Sequence, residues 1–414
     1  MMTGRQKLLM SVVGVAGLAV SLAAQSRTGD WPQWRGPNRD GAAASFAEPR
    51  AWPAQLTRKW KVDVGLGYAS PLVVGNRLFM FSRQGANEVM SALDPDSGKV
   101  LWRTAYAAPF TMNSAAAPHG EGPKSTPVYN NGKVYAIGMT GIVTAFDAAD
   151  GRQLWQKPGS KVVPLFTTHA FSPIVDRGLV VFHVGGNNQG ALTAFDAETG
   201  AVRWHWDGDG PAYASPIVAE FDGTRQIVTF TQDNLIGVSA ATGELLWKQP
   251  YKTPYTQNNI TPIVYGQTII ISGLEHPVVA LRVAKQDGKW NLENVWENKD
   301  VSLAMANAVV VGDTLYGMSA RNSGQFFAVD AKTGKTGWLG APRQGANAAV
   351  VRAGQVLFLL KDNAELVIAR ANPARFEPLQ TYTVADSATW TQPTISGDRV
   401  FVKDVSSLTL WTIS

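Results

Sequence analysis

Residues 193–206 read TAFDAETGAVRWHW, and the pattern of this stretch repeats along the chain with different residues at the variable positions. Shorter versions of it end at Trp102, Trp155, Trp247 and Trp338. In most copies an acidic residue and a glycine bracket a polar link between two apolar segments, which is typical of two strands joined by a tight turn. Aspartate accepts backbone N–H groups across such a turn, and glycine adopts the positive φ that other residues resist. We therefore interpret these acidic residues as turn formers and not as catalytic groups.

The tryptophan of each copy follows the glycine by four residues, so it occupies one fixed position on the last strand of a unit. A second repeated stretch precedes the first; it reads SPLVVGNRLFMF from Ser70 and SPIVAEFDGTRQIVTF from Ser215. This stretch predicts two further strands around a turn, so that one unit holds four strands. The tryptophans recur at intervals of roughly 40 to 50 residues, which is the repeat length of β-propeller blades. Helical repeats would need a 3.6-residue periodicity that these segments do not show.

Eight first-strand signatures can be counted, and they begin at Ser70, Thr126, Ser172, Ser215, Thr261, Asn307, Asn347 and Gln392. The last unit has room for three strands only, whereas the segment Leu56 to Val64 resembles a fourth strand without a sheet. We predict an all-β fold, an eight-bladed β-propeller of four-stranded antiparallel blades in which this N-terminal strand closes the last blade. The units near Gly288 and Phe376 are degenerate, which leaves a seven-bladed ring as the alternative.

The chain has 414 residues, 45% of them hydrophobic, and no cysteine. It can therefore bury a large core, and it cannot form disulfides or thiolate metal sites. An apolar run from Leu8 to Ala24 follows Arg5 and Lys7, which is the pattern of a secretory signal. We expect a periplasmic or secreted protein, with a signal peptide over 1–24, a Trp- and Pro-rich capping segment over 25–55 and the propeller over 56–414.

The formal net charge is +5, and two of these charges belong to Arg5 and Lys7 in the expected signal. No basic run is present, so nucleic acid is not expected as a partner. The apolar run is short for a membrane-spanning helix, and we expect a monomer without a membrane anchor after signal cleavage. The five histidines lack a metal-ligand spacing, so the sequence predicts no metal site.

Ala194 to Trp204 fits the tryptophan-docking pattern Ala-x-Asp-x-x-Thr-Gly-x-x-x-Trp, and residues 328–338 fit it again. In this the chain resembles the pyrroloquinoline quinone (PQQ)-type β-propeller repeat family, over most of residues 56–414. Quinoprotein alcohol dehydrogenases of this family hold PQQ and calcium at the propeller axis and oxidise alcohols. The eight-bladed outer-membrane assembly protein BamB binds protein partners and catalyses nothing. The shared motif implies the fold and does not choose between these two functions.

Departures from the dehydrogenases favour a binding function. These enzymes typically carry a disulfide between adjacent cysteines, which this chain cannot form. Their calcium-binding carboxylate and catalytic aspartate have no match here, so no catalytic residue is carried over. We predict a non-catalytic binding or scaffold protein without a cofactor, which takes a protein or glycan partner on one propeller face. The alternative is an oxidoreductase that depends on PQQ and calcium and acts on an alcohol or a sugar.

The mouth of the axial channel is the expected binding site, because the first-strand residues should form a ring of small polar groups there. Their neighbours offer aromatic faces and hydrogen-bond donors to a planar anionic ligand, with Lys124 as the charge partner of a carboxylate. The alternative is that the polar ring holds only water and binds no ligand. The long connection from Ala107 to Lys124 can act as a lid. The candidate mouth residues are Tyr68, Ser70, Lys124, Thr126, His169, Ser172, Tyr213, Ser215, Asn259, Thr261, Asn307, Asn347, Trp390 and Gln392.

Overall fold

The computed structural model describes residues 29–413, which form eight four-stranded antiparallel sheets, the blades of a propeller. The eight-bladed prediction is confirmed, and the seven-bladed alternative is wrong. The first strands of neighbouring blades approach one another around the axis, whereas the fourth strands carry many exposed residues. The expected signal peptide, residues 1–24, lies outside the described residues. Within residues 29–413, no helix has the length and apolar character needed to cross a membrane.

Blades 1 to 4 follow one another along the chain, each running from its innermost to its outermost strand. Blade 1 contains Leu72–Val74, Arg77–Gln84, Asn87–Leu93 and Val100–Ala107. Blade 2 contains Val128–Asn130, Lys133–Ile137, Val143–Asp147 and Gln153–Lys157. Blade 3 contains Ile174–Asp176, Leu179–Gly186, Gln189–Asp196 and Val202–Trp206. Blade 4 contains Ile217–Phe221, Thr224–Phe230, Asn234–Ser239 and Leu245–Pro250.

Blades 5 to 8 continue the same order. Blade 5 contains Ile263–Tyr265, Thr268–Gly273, His276–Gln286 and Lys289–Asn298. Blade 6 contains Val309–Val311, Thr314–Ser319, Gln325–Asp330 and Thr336–Leu339. Blade 7 contains Ala348–Ala353, Val356–Lys361, Glu365–Arg370 and Glu377–Thr383. Blade 8 contains Thr394–Ser396, Arg399–Lys403, Ser407–Thr412 and, as its fourth strand, Thr57–Asp63. Short 3₁₀ helices span Ser114–His119, Pro254–Thr256 and Arg321–Ser323.

Strands from opposite ends of the ring's sequence close blade 8. Thr57–Asp63 pairs antiparallel with Ser407–Thr412, which places Trp60 opposite Leu410. This confirms that the segment predicted over Leu56 to Val64 completes the last blade. The outer edge of the Ser407–Thr412 strand is therefore paired and not open to other chains.

The repeated aspartates and tryptophans perform two structural tasks. Asp196 Oδ1 accepts the backbone N–H groups of Glu198 at 3.0 Å and Thr199 at 2.9 Å, which confirms its role in the turn. Gly200 completes that turn with a φ of 68°. Trp155 of blade 2 packs on this glycine of blade 3, where a Cβ would lie 2.7 Å from the indole. The equivalent pairs are Trp60 with Gly98, Trp102 with Gly151, Trp204 with Gly243 and Trp296 with Gly334.

Residues 29–46, here called the N-terminal clasp, cross the end of the channel at which the innermost strands finish. The clasp lies within the segment predicted to cap the ring. Its backbone and side chains bond to blades 1, 2, 3, 5, 6, 7 and 8, and these bonds leave out blade 4. The bonded pairs are Trp31 with Val73, Pro32 with Tyr129, Arg39 with Ser172, Trp34 with Thr261, Arg35 with Ala308, Ala43 with Arg352 and Ser45 with Gly397.

Candidate functional site

A cavity of about 160 Å³ lies on the axis of the ring, and we call it the axial chamber. Trp34 of the clasp reaches the chamber from one end. His119 and Trp390 reach it from the other end, which we call the mouth because the innermost strands begin there. Nine of the fourteen predicted mouth residues line the chamber, and the structure brings them together: Tyr68, Lys124, Ser172, Tyr213, Ser215, Asn259, Asn307, Asn347 and Trp390.

The polar ring also has a structural use that the sequence reasoning missed. The backbone N–H of Ser70 donates to Thr126 Oγ1 at 2.9 Å, and that of Thr126 donates to Ser172 Oγ at 3.0 Å. The backbone N–H of Ser172 in turn donates to Ser215 Oγ at 3.0 Å. Each small polar side chain thus satisfies a buried donor of the preceding blade. A Ser or Thr directly before a proline in five units was the available signal. The predicted residues outside the chamber wall are Ser70, Thr126, His169, Thr261 and Gln392.

Two loops cover the mouth end of the chamber. The 3₁₀ helix Ser114–His119 places the His119 ring 4.9 Å from the Trp390 ring and 5.9 Å from that of Phe166. Asn113 Nδ2 donates to the carbonyl of Leu165 at 3.0 Å, which ties this loop to the loop before blade 3. Burial lowers the pKa of His119, and the Lys124 ammonium lowers it further. The imidazole is therefore neutral at pH 7.

Lys124 is the only lysine or arginine that lines the axial chamber within the described residues. Its Nζ donates to the carbonyls of Gly120 at 2.9 Å and Gly122 at 3.0 Å, so two of its three donors hold the lid loop itself. Burial lowers the pKa of Lys124 to about 8, and the nearby Glu121 carboxylate opposes this shift. The charge that we assigned to a ligand is thus partly used to fold the loop.

His169 lies behind the chamber wall and not in it. Its side chain is 1% exposed, and neither ring nitrogen has a hydrogen-bond partner among the described residues. Burial lowers its pKa to about 3, with a smaller contribution from His183. His183 is buried as well, and burial lowers its pKa to about 4. Sequence reasoning placed His169 at the mouth because the sequence does not show that this side chain is buried.

The chamber's residues do not fit calcium with PQQ. Calcium takes six to eight oxygen ligands, usually with carboxylates among them, and no Asp or Glu of the described residues lines the chamber. Across residues 29–413, no group of three or more His, Asp or Glu side chains can hold a metal ion. The volume of about 160 Å³ also lies below the roughly 300 Å³ at which sites for cofactor-sized ligands begin.

The loops at the mouth present two exposed apolar side chains, which the sequence did not reveal. Leu165 is 68% exposed and Tyr255 is 80% exposed. Asn187 joins their loops, because its Oδ1 accepts the N–H of Leu165 at 2.8 Å and its Nδ2 donates to Thr256 Oγ1 at 3.4 Å. Tyr255 and Thr256 have φ values of 59° and 55°, a left-handed backbone that costs free energy for such residues. We call these loops, with Leu165, Asn187 and Tyr255, the mouth platform.

Comparison with known proteins finds relatives of two kinds, BamB proteins and quinoprotein alcohol dehydrogenases. It is 27% identical to outer membrane protein assembly factor BamB of Yersinia pestis over 205 residues, 47% of this chain and 48% of that protein. It is 25% identical to quinohemoprotein alcohol dehydrogenase ADH-IIG of Pseudomonas putida over 215 residues, 48% of this chain and 29% of that protein. The chain therefore spans about half or less of the length of these two relatives.

A solved structure and a family model extend this comparison. The crystal structure of BamB from Moraxella catarrhalis has a TM-score of 0.61 and 15% identity, covering 87% of this chain and 98% of that one. At that identity the likeness concerns the fold alone. The model for the family described as outer membrane protein assembly factor BamB matches residues 85–340, well over half of the chain. The protein therefore belongs to the family of outer membrane protein assembly factor BamB.

Proposed function

We propose that this protein is a non-catalytic propeller of the cell envelope that binds a protein partner through the mouth platform. The exposure of Leu165 and Tyr255 on two joined loops carries the proposal. Single exposed apolar residues are common on protein surfaces. Here the two side chains come from separate loops that Asn187 holds together, and one of them stands on a strained backbone. Protein interfaces are built around a few such apolar anchors, with tyrosine prominent among them.

A protein partner suits this surface better than a glycan. The Leu165 side chain has no group that can bond a sugar hydroxyl, whereas it can enter an apolar pocket of a partner protein. The names of the BamB relatives place those proteins in outer membrane assembly, which supports an envelope location for this one. We propose that it acts as a monomer outside the cytoplasm, in accord with the signal expected over residues 1–24.

The non-catalytic part of the proposal is supported by the axial chamber. A quinoprotein oxidation needs a cation that polarises the reacting carbonyl, and none of the described residues that line the chamber is an Asp or Glu that could hold one. Its one lysine is bonded to the lid loop. We therefore propose that this chain shares the scaffold of the dehydrogenases and not their chemistry.

Site-specific crosslinking tests the partner surface. A photoreactive residue placed at position 165 or 255 should trap one and the same envelope protein in intact cells. Position 101 is the matched control, because Leu101 is 47% exposed but lies on the fourth strand of blade 1. Leu165→Asp and Tyr255→Asp should each weaken the interaction at least tenfold with the thermal midpoint unchanged. Equal trapping at position 101, or full binding by both variants, would contradict the proposal.

Calorimetric titration tests the absence of quinoprotein activity. The purified chain should take up no PQQ with or without Ca²⁺, and it should not reduce a dye with alcohols or sugars. Tight, calcium-dependent PQQ uptake together with dye-linked oxidation would show that the protein is an oxidoreductase.

A further inference from the structure

A second cavity, of about 310 Å³, lies at the clasp end of the channel. One wall consists of clasp residues Gln33 and 37–40, and the other mainly of the first strands of blades 3, 4 and 5. It lies beside blade 4, the blade that the hydrogen bonds of the clasp leave out. We call it the clasp pocket. Its volume is at the lower end of the range for small-molecule sites.

The blade wall of the clasp pocket is aliphatic. The tripeptide Pro-Ile-Val occurs three times, at residues 173–175, 216–218 and 262–264, and each Ile and Val of these copies lines the pocket. The register is the same in the three blades, so the Ile and Val of the three copies line one side of the pocket, together with Pro262 and Arg225. No aromatic side chain of the described residues lines this pocket. Such a wall fits a flexible hydrocarbon chain better than it fits a sugar or a planar ring.

A buried cation stands at the clasp wall. Arg39 is 4% exposed and lines the pocket, and its Nη1 and Nη2 donate to the carbonyls of Pro173 and Ser172 at 2.9 Å. Its Nη1 also donates to Gln33 Oε1 at 3.2 Å. Its Nε has no hydrogen-bond partner among the described residues. Arg39 therefore has one buried donor without a partner, and its hydrogen bonds to the described residues all go to neutral oxygens.

The acidic groups near the pocket already have partners. Asp40, which lines the pocket, accepts a hydrogen bond from Arg352 Nη2 at 3.1 Å. Arg225 donates from both Nε and Nη2 to the Asp176 carboxylate. Arg35 is a second buried guanidinium beside Arg39 and bonds only carbonyl groups. Burial, and to a smaller extent the charge of Arg35, lower the pKa of Arg39 to about 9. A bound anion would relieve both effects.

We propose that the clasp pocket binds an aliphatic monocarboxylate of medium chain length. The carboxylate lies against Arg39 and accepts its free Nε–H, a charge-assisted bond to a group with no other anion. The chain lies along the Ile and Val side chains of blades 3 to 5. This site is separate from the mouth platform, so the proposal stands independently of the partner protein.

Octanoate is the probe, titrated calorimetrically into the purified full chain. Octan-1-ol and octylamine have the same chain without the carboxylate, and each should bind at least tenfold more weakly than octanoate. Raising the salt concentration should weaken octanoate binding and leave octan-1-ol unchanged. Equal affinity for octanoate and octan-1-ol would overturn the role of Arg39.

Two tryptophan variants localise the site. Val218 and Val310 are half-buried and occupy the same register position in blades 4 and 6, but only Val218 lines the pocket. Val218→Trp should reduce octanoate affinity at least tenfold by filling the pocket, whereas Val310→Trp should keep it within twofold. Circular dichroism and thermal unfolding verify that both variants are folded. Unchanged binding by Val218→Trp would overturn the proposal. So would binding of an acetylated dipeptide ending in valine where octanoate fails, since it would identify a peptide terminus as the ligand.

Discussion

Trp155 of blade 2 lies directly on Gly200 of blade 3, where a Cβ would come within 2.7 Å of the indole. Trp155 Nε1 also donates to the carbonyl of Ala197 in the same turn, at 3.2 Å. Trp155 of one blade thus packs on the turn of the next blade, at a position where a side chain larger than hydrogen would not fit. The recurring pattern of glycine and tryptophan along the sequence encodes this contact between neighbouring blades.

Gly200→Ala should destabilise the protein more than Gly178→Ala, although both glycines are in blade 3 and both have positive φ, 68° and 82°. A Cβ at Gly178 meets nothing within 4 Å, so this variant suffers only the left-handed backbone cost of ~1 kcal/mol. Gly200→Ala adds overpacking against Trp155, of about 1–3 kcal/mol. Denaturant unfolding measures both variants. Equal losses would show that the tryptophan contact contributes nothing.

Trp60→Ala should weaken the closure of the ring. Trp60 packs on Gly98, and its Nε1 donates to the Pro95 carbonyl at 3.1 Å, so truncation should cost about 3 kcal/mol. Trp290 is the comparison, since it lies on the long outer hairpin of blade 5 beneath Lys285. Trp290 is half-buried against the core of blades 4 and 5 but takes no part in closure, so Trp290→Ala should cost less than Trp60→Ala. Chemical unfolding followed by far-UV circular dichroism distinguishes the two, and a similar cost for both would contradict the role of closure.

Acidification should destabilise the fold through His169 and His183. Burial lowers their pKa values to about 3 and about 4, so each stays neutral when folded but binds a proton when unfolded below pH ~6.5. The unfolded state then holds more protons, so stability falls as pH decreases from about 6.5 towards about 4. Each histidine contributes up to about 1.4 kcal/mol per pH unit to this slope.

His169→Leu should reduce the slope of unfolding free energy against pH, measured between pH 6.5 and 5. The substitution also removes two buried nitrogens that have no partner among the described residues, so it should not destabilise the protein at pH 7. His205 is exposed, and His205→Leu should leave the slope unchanged. An identical slope in wild type and His169→Leu would contradict the buried neutral state.

A buried glutamate links blades 1 and 2, and its pocket leaves no room for a methyl group. Glu88 Oε1 accepts the N–H of Met139 at 2.6 Å, and Oε2 accepts the Tyr106 hydroxyl at 2.9 Å. A Cβ at Gly138 would overlap Glu88 Oε2. Gly138→Ala should therefore cost about 1–3 kcal/mol, and much less in a Glu88→Ala background. Additive costs in this double-mutant cycle would show that the two residues do not interact.

The blade count and the ring closure could be predicted because their signals are local. The Asp-to-Gly turn and its tryptophan lie within a dozen residues of one another, and the segment around Trp60 repeats the end of a blade. Trp247 shows where the repeat misleads: its Nε1 donates to Gln226 of its own blade at 2.7 Å. Blade 5 offers no matching glycine turn, because its outer strands extend into the long hairpin His276–Gln286 and Lys289–Asn298.

The candidate site could be predicted only in part, because it depends on loops that meet in space. Repeat equivalence gave the chamber positions, since every first strand begins at the mouth. It could not show that His169 is buried or that the Thr126 hydroxyl bonds the backbone of blade 1. The loops of Leu165 and Tyr255 are joined through Asn187, a contact between residues far apart in the sequence.

The closing strand has a consequence for biosynthesis. Thr57–Asp63 emerges before the rest of the ring, yet its hydrogen-bonding partner Ser407–Thr412 comes after all the other strands. Until then its backbone hydrogen-bonding groups have no strand partner, so it can pair with the wrong strand. Arg58, Lys59 and Lys61 place positive charge along this strand. Repulsion between these charges disfavours pairing of two unfinished chains through it.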